Sequence, residues 1–318
     1  MTTQTRHIEV VPYNANWPEM FEEEASAIKL ALGDNCLEIH HVGSTSVPGL
    51  VAKPKIDILV VAANPAETIK RLESIGYAYR GEFNIPLQFG FSKRGEVDIN
   101  LHLFQTDHPE IELNLKFRDY LRTHPEARDK YAALKTELLS HESSFEIKNP
   151  PFSGYNLGKA NFIRKIQALT GFNRIRMLRC THYAEWDAAK AFRKKYFFDL
   201  VPIADPYTWT FDHPEHVHLV LYQGTTIIGY THLQLWPEQR AAMRIIVIDE
   251  PFRNMSFGGQ FLALCEQWLK VQGYQSLHIE SRSESLNFYQ KHGYMPMPFD
   301  DPENHETDPR DTAVAKIL

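Results

Sequence analysis

Residues 40–60 read HHVGSTSVPGLVAKPKIDILV. A strand-like start runs into Gly43 and three hydroxyl residues, Ser44, Thr45 and Ser46. Lys53 follows, and then an apolar, β-branched run that carries one acid, Asp57. Gly43 lets a backbone approach a ligand closely, and hydroxyls and amides in such a turn can hold phosphate oxygens. Asp57 stands 13 residues after Ser44, where a carboxylate could hold Mg²⁺ beside that phosphate. Alternation along EVDINLHLF puts Asp98, Asn100 and His102 on one strand face. Asp57 and Asp98 are therefore the candidate ligands of a single ion. The same residues have a plainer reading, because Ser and Thr after Gly commonly satisfy turn amides.

A second stretch, MRIIVIDEPFRNMSFGGQFLALCEQWLKVQ, combines a strand, a turn with Arg253 and small residues, and a helix. Free amides and the helix dipole converge where such a helix begins, which makes an anion site. Further on, SESLNFYQKHGY reads as a short helix carrying Tyr289 next to Phe288. A helix-borne Phe-Tyr pair is by itself most simply a core pair. His213, His216 and His218 stand close together in FDHPEHVHL, at spacings that suit a metal. Alternation puts His216 and His218 on one strand face, and the reading adopted for them is solvent exposure. DDPENHETDPRD is acidic and proline-rich, a solvated loop with the charge to draw a cationic amine.

The elements that must position these groups are legible in part. IEVVPYNANWPEMFEEEASAIKLAL reads as a short strand, a Pro/Asn turn and a helix, with Asn16 as the helix cap and Pro18 in its first turn. KIDILVVAA has the character of a central strand, and FGFSKRGEVDINLHLF that of a hairpin turning at Lys93–Gly95. A helical stretch from Glu110 to His141 breaks at Pro125. Pro150 and Pro151 precede a last helix, Tyr155 to Leu169. The pattern changes around Gly171–Arg176, and a new strand–helix series begins. The expected division is residues 1–172 and 173–318, each with an α/β (α+β) fold.

Composition narrows the function. Residues 1–172 hold 19 Lys/Arg against 22 Asp/Glu; subtraction from the totals of 34 and 40 leaves 15 against 18, so each half carries −3. Neither half has the basic excess of a nucleic-acid binder. Cys36, Cys180 and Cys265 are too far apart for a disulfide framework or a zinc spacing, which fits a reducing cytosol. No window approaches a membrane span, and a cytoplasmic location is expected. Oligomeric state is left open.

Two resemblances sharpen this reading. A Gly-Ser turn leading to an acid-bearing strand is similar to the nucleotidyltransferase superfamily, whose strand reads Asp-x-Asp. Here Leu59 stands at the second acid, so this strand alone cannot build a two-metal site. The opening stretch, with NLHLF, FRDYLRTHPEARDKYAALK and GYNLGKANFI, resembles the GrpB family over most of residues 8–169. That resemblance implies a small mixed sheet flanked by helices and no secure activity. Its implied pocket residues are His41, Gly43, Ser44, Thr45, Lys53, Asp57, His102, Arg118, Lys135, Tyr155 and Lys159, around a nucleotide or other phosphate-containing ligand.

The second half resembles the GNAT N-acetyltransferases, whose loop reads Arg/Gln-x-x-Gly-x-Gly/Ala. The matching residues are Arg253, Asn254, Met255, Ser256, Phe257 and Gly258, with Ser256 replacing the first glycine. The resemblance implies acetyl-CoA as cofactor, its diphosphate on the amides of that loop. It implies that an amide near Val247 and Ile248, freed by a bulge, receives the thioester oxygen. Tyr289 matches the position that protonates the leaving thiolate. For the base that takes the amine proton, the ranking is Glu280, then His232 and His278. The expected function is acetyl transfer to an amine of a small molecule or protein. The alternatives are a non-catalytic nucleotide or CoA sensor, and a nucleotidyltransferase active in the first half.

Overall fold

The computed structural model describes residues 5, 7–149, 152–199, 204–303 and 308–318. Pro150 and Pro151 lie outside them. The chain divides into two compact units, Met1–Arg176 and Met177–Leu318.

The first unit opens with α1 (Trp17–Leu32), which buries Trp17, Phe21, Ala25, Ile28 and Leu32 along one stripe. Asn16 is its N-cap but makes no side-chain cap bond, and the helix ends at Gly33 with φ +56°. Strands β1 (Cys36–Val42) and β2 (Lys55–Ala62) follow, then α2 (Thr68–Glu73), β3 (Ala78–Gly81), β4 (Phe89–Lys93) and β5 (Asp98–Gln105). Among the described residues they form a five-stranded sheet in the order β1-β2-β5-β4-β3. Only β2 and β5 pair in parallel, over eight residues from Lys55↔Asp98 to Ala62↔Gln105.

From Ile58 onward strand β2 is apolar, because both of its faces are covered there. Ile56, Ile58, Val60 and Ala62 pack with α1, whereas Leu59 and Val61 pack with Val42, Phe104, Ile111 and Leu115. Leu59 is fully buried, so the position of the missing second acid has become core.

Helices α3 (Pro109–Thr123) and α4 (Pro125–Leu139) break at Pro125 as expected. A short hairpin, β6 (Ile147–Asn149) and β7 (Phe152–Ser153), leads to α5 (Gly154–Gly158) and α6 (Ala160–Leu169). The single helix expected from Tyr155 is thus two. Both glycines of α5 are forced by contact: a Cβ at Gly154 would strike the Ser143 carbonyl, and one at Gly158 would strike Leu138.

Strand β8 (Ile175–Arg179) begins two residues before the division, and the second unit goes on with α7 (Tyr183–Arg193), the hairpin β9 (His216–Gln223) and β10 (Thr226–Trp236), and β11 (Arg240–Ile248). Then come α8 (Phe257–Val271), β12 (Ser276–Ser281), α9 (Ser283–Lys291), β13 (Met295–Pro296) and β14 (Thr312–Ile317). The seven strands lie in the order β13-β14-β12-β11-β10-β9-β8. A capping box starts α7, with the Glu185 carboxylate accepting from the His182 amide at 2.6 Å. That helix continues into a π-turn over Lys194–Phe198.

The parallel ladder between β11 and β12 has only three pairs and ends at Ala242↔His278. Beyond it, β11 stays with β10 as far as Gly229↔Ile248, while β12 follows β14 as far as Ser281↔Thr312. A register shift opposite His232 and Leu233 leaves Arg244 as the extra residue of β11. Such a bulge bends and twists its strand. The bulge therefore sits at Arg244, not at Val247 and Ile248 as expected, since those two pair regularly with Tyr230 and Gly229.

Candidate functional site

In the first unit, Gly43 has φ +70°, and a Cβ there would collide with the Asp57 carboxylate. Glycine is what lets this turn press on β2. Two of the three hydroxyls serve the turn itself. Ser46 Oγ donates to the Gly43 carbonyl at 2.6 Å, and Thr45 Oγ1 donates to the Lys55 carbonyl at 3.1 Å. Ser44 differs, because its Oγ accepts from Lys135 Nζ at 2.6 Å. That ammonium also donates to the Val51 carbonyl at 2.8 Å.

A cavity of about 590 Å³ gathers Gly43, Ser44, Thr45, Lys53, Asp57, His102, Lys135, Tyr155 and Lys159. His41 and Arg118 are not in it; they border a separate hollow with Arg122. His41 stacks on Phe21 at 4.8 Å, and burial pushes its pKa down to about 4. It stays neutral, and Arg118 Nη1 donates to its carbonyl at 3.1 Å, so both brace β1.

Lys53 and Lys159 place their ammoniums 4.5 and 4.6 Å from the centre of the Tyr155 ring. Burial pushes Lys135 down to about 7, with the charge of Lys159 adding to the fall. Burial likewise brings Lys159 down to about 8, against the pull of Asp57. Burial alone would raise the Asp57 carboxyl; bonding and charge from His102, with help from Asn100 and Lys55, outweigh it and hold the group below its ordinary value.

The metal assignment is corrected by this geometry. Asp98 pairs with Arg94 at 2.8 Å, and its register partner is Lys55. Asp57 is partnered by Asn100, whose Nδ2 donates at 3.1 Å, with His102 Nε2 at 3.8 Å. Lysine-rich walls around one carboxylate are not the oxygen shell that Mg²⁺ takes. Among the described residues no group of three or more His, Cys, Asp or Glu could hold a metal ion.

In the second unit, Asn254 and Ser256 both adopt left-handed backbone, with φ +61° and +63°. Ser256 takes up the conformation that a glycine would adopt more readily. It is the N-cap of α8 yet makes no side-chain cap bond. By helix geometry the first amides of α8 have no intrahelical acceptor. At Gly258 a Cβ would find only ordinary contacts, the nearest with the Phe288 ring at 3.6 Å. At Gly259 it would strike His292, so the start of α8 packs on α9. Tyr289, next to Phe288, is buried, and burial pushes its hydroxyl up to about 12.

Glu280 lies on β12 beyond the end of the ladder. Burial raises its carboxyl, Arg244 opposes, and Asp311 and Asp301 add to the rise. Arg244 is held by Gln234 at 2.6 Å and by Asp301, which ties the acidic segment to β11. Residues 304–307 of that segment lie outside the described residues.

The histidines overturn the expectation of exposure. His216 and His218 do share a strand face, but both faces of β9 are buried. His216 Nδ1 lies 2.8 Å from His232 Nε2, and His218 stacks on His232 at 4.3 Å. Arg193 approaches His232 Nδ1 at 3.5 Å. Burial, then the charges of His218, Arg193 and others, keep His232 well below the ordinary histidine value. With both ring nitrogens engaged, His232 is not left as a base. His278 is also buried, with Nε2 3.0 Å from Ser276 Oγ.

One functional group of contacts was missed. The π-turn brings Lys195 and Tyr196 onto Asp249, at the root of the loop. Lys195 Nζ donates to Asp249 Oδ1 at 2.9 Å, and the Tyr196 hydroxyl donates to the same oxygen. The Glu250 amide donates to Tyr196 Oη at 3.1 Å, and the Arg253 guanidinium lies 4.9 Å from the centre of the ring. Arg253 Nε donates to the Ile248 carbonyl at 3.0 Å. A π-turn inserts one residue into a helix and often marks a functional site. KKYFF carries no signal of that insertion.

Residues 7–169 match the GrpB protein family. The chain belongs to the GrpB family. Residues 178–294 match the acetyltransferase (GNAT) family, so this GrpB protein carries a GNAT acetyltransferase domain as its second unit. A UPF0157 protein of Halalkalibacterium halodurans is 42% identical over 138 residues, which are 42% of this chain and 71% of that protein. UPF0157 protein YqkA of Bacillus subtilis is 38% identical over 139 residues, 42% of this chain and 40% of that protein. The match thus spans less than half of the second relative. The crystal structure of conserved protein GrpB from Enterococcus faecalis is 37% identical, covering 51% of this chain and 96% of that one, with a TM-score of 0.45. A putative N-acetyltransferase from Lactobacillus plantarum is 21% identical, covering 46% and 99%, with a TM-score of 0.39. No helix among the described residues is long and apolar enough to cross a membrane.

Tyr196→Phe removes the hydroxyl that joins Asp249 to the Glu250 amide. Hydrogen exchange is expected to quicken at residues 250–256 by roughly 10-fold, the equivalent of one lost bond to a charged group. Exchange in β9 and β10 should stay as it was. Unchanged protection of the loop would show that the hydroxyl does not anchor it.

Proposed function

We propose that this protein transfers an acetyl group from acetyl-CoA to an amine, and that its first unit binds a phosphate-containing ligand. The observation that carries the first part is the split between β11 and β12 above a loop with two left-handed residues and an open helix start. The donor set suits an anionic, extended cofactor. The amides from Arg253 to Gly258 would hold its diphosphate, and the β11 backbone beyond Ala242 would line its reactive arm. Bound there, acetyl-CoA supplies an acetyl thioester.

The protein's own groups have the protonation states the reaction needs. Tyr289, pushed up to about 12, keeps its proton at neutral pH and can offer it to a departing sulfur. Glu280, raised by burial, is a stronger base than an ordinary carboxylate and can take the proton of an amine. Glu280 and Asp311 supply negative charge for a cationic acceptor, whether a small molecule or a protein amine, while Arg244 is engaged by Asp301. The second part rests on the lysines of the cleft, Lys53, Lys135 and Lys159, gathered around Ser44 and Tyr155.

Three measurements test the first part. Gly258→Asp leaves ordinary contacts around its Cβ but brings a negative charge to the diphosphate locus. Calorimetry should show CoA affinity falling by about 10-fold or more, and equal affinity in the folded variant would remove the loop assignment. Tyr289→Phe keeps its packing and should slow single-turnover transfer by about 10²–10⁴ with CoA affinity unchanged. For Glu280, the base form is lost as pH falls through its raised pKa. The acid limb of kcat/KM should lie above the ordinary Glu value of about 4.3 and vanish in Glu280→Gln. If that limb persists in the variant, another group is the base.

A further inference from the structure

Among the described residues, the cleft of the first unit is lined by six cationic side chains, Lys53, Lys55, Arg80, Lys135, Lys159 and Arg94, the last paired with Asp98, and by one acid, Asp57. This excess sits in a half that carries 19 Lys/Arg against 22 Asp/Glu overall. Gathering like charges in one cavity opposes folding, so an anionic occupant is the natural relief. The cations fall into two groups. Lys53 and Lys159 flank Tyr155, and Lys135 holds Ser44, next to the turn that presses on β2. Arg80 on β3 and Arg94 after β4 stand on the other side of the sheet order.

A polar row separates the two groups. Asp57 on β2, Asn100 on β5 and Ser92 on β4 are successive register partners. Asn100 donates to Asp57 at 3.1 Å, and Arg80 Nε donates to Ser92 Oγ at 2.8 Å. Arg80 uses one of its five N–H donors in that bond. The row spans two strand spacings, roughly 10 Å. Its acceptors and amides suit hydroxyl groups rather than an apolar body.

We propose that this cleft is a two-ended anion site for an elongated, hydroxyl-bearing metabolite, with a phosphate at the Ser44–Lys53–Lys159 end and a second anionic group at Arg80, on either side of a polar row roughly 10 Å long. The proposal rests on the reading of the cleft as a phosphate site. It adds the second end, and with it a discrimination between singly and doubly phosphorylated ligands.

Calorimetry on the full chain tests it with inorganic phosphate, fructose 6-phosphate and fructose 1,6-bisphosphate as probes. The parent should bind the bisphosphate about 10-fold or more tightly than the monophosphate, the worth of one charge-assisted contact. Arg80 is exposed, so Arg80→Gln should fold with the parent's thermal midpoint. It should abolish most of that preference while leaving the monophosphate within about 2-fold, and Arg80→Lys should retain part of it. Lys159→Gln should weaken both sugar phosphates together. Equal affinity for the two in the parent, or a preference that survives Arg80→Gln, overturns the two-ended site. Binding of phosphate or the monophosphate without the bisphosphate overturns it as well. If none of the three probes binds, the phosphate reading itself fails, and the second end with it.

Discussion

Each unit turns on one parallel strand ladder, and the two ladders differ in length. Between β2 and β5 the ladder runs for eight residue pairs. Its register sets Asp57 opposite Asn100 and leaves Asp98 opposite Lys55, which decides the character of the cleft above it. Between β11 and β12 the ladder stops after three pairs. Each strand then keeps only its antiparallel partner, β10 or β14. Backbone that a longer ladder would have consumed is thereby left for other uses, and buried backbone groups do not long remain without a partner. The bulge at Arg244 bends β11 just where the strands part. Closed in one unit and open in the other, the same interaction yields a floor for side chains in the first and two strands with separate partners in the second.

Around these ladders, burial governs the chemistry of the charged groups. Lys135 and Lys159 lose part of their affinity for protons because water is excluded from them. Tyr289 and Glu280 are moved upwards for the same reason, and both changes favour the protonated form. The histidines show burial used for construction. Burial keeps His218 and His232 neutral; with His216 they are joined to one another and to Tyr230, and Arg193 is held by Asp205 at their edge. A charged Arg193 at 1% exposure needs that carboxylate, since removing either partner would leave a charge without compensation.

Several site features could be read from residue types because they depend on local geometry. Gly43 before a hydroxyl turn and the break at Pro125 both follow from backbone preferences of a few residues. Nine of the eleven pocket residues drawn from the GrpB resemblance meet in one cavity. Features that depend on which face meets which neighbour were read less well. Alternation put His216 and His218 on one face correctly, but period two cannot say that packing covers both faces of the strand. Asp98 and His102 share the face of Asn100, yet the register with β2 leaves Asp98 to Arg94.

The sequence by itself determined the two-part character of the chain, the order of its strands and helices, and the residue types at both sites. It did so because hydrophobic period, turn chemistry and glycine placement act over short spans. Tertiary structure alone decided which of those residues act together. It buried Leu59 against α3, where an acid would otherwise have been expected. It ended the β11–β12 ladder at Ala242 and carried Tyr196 through a π-turn onto the loop root at Asp249. These outcomes depend on long-range packing and register. A one-residue shift in either would turn a different set of side chains toward the site.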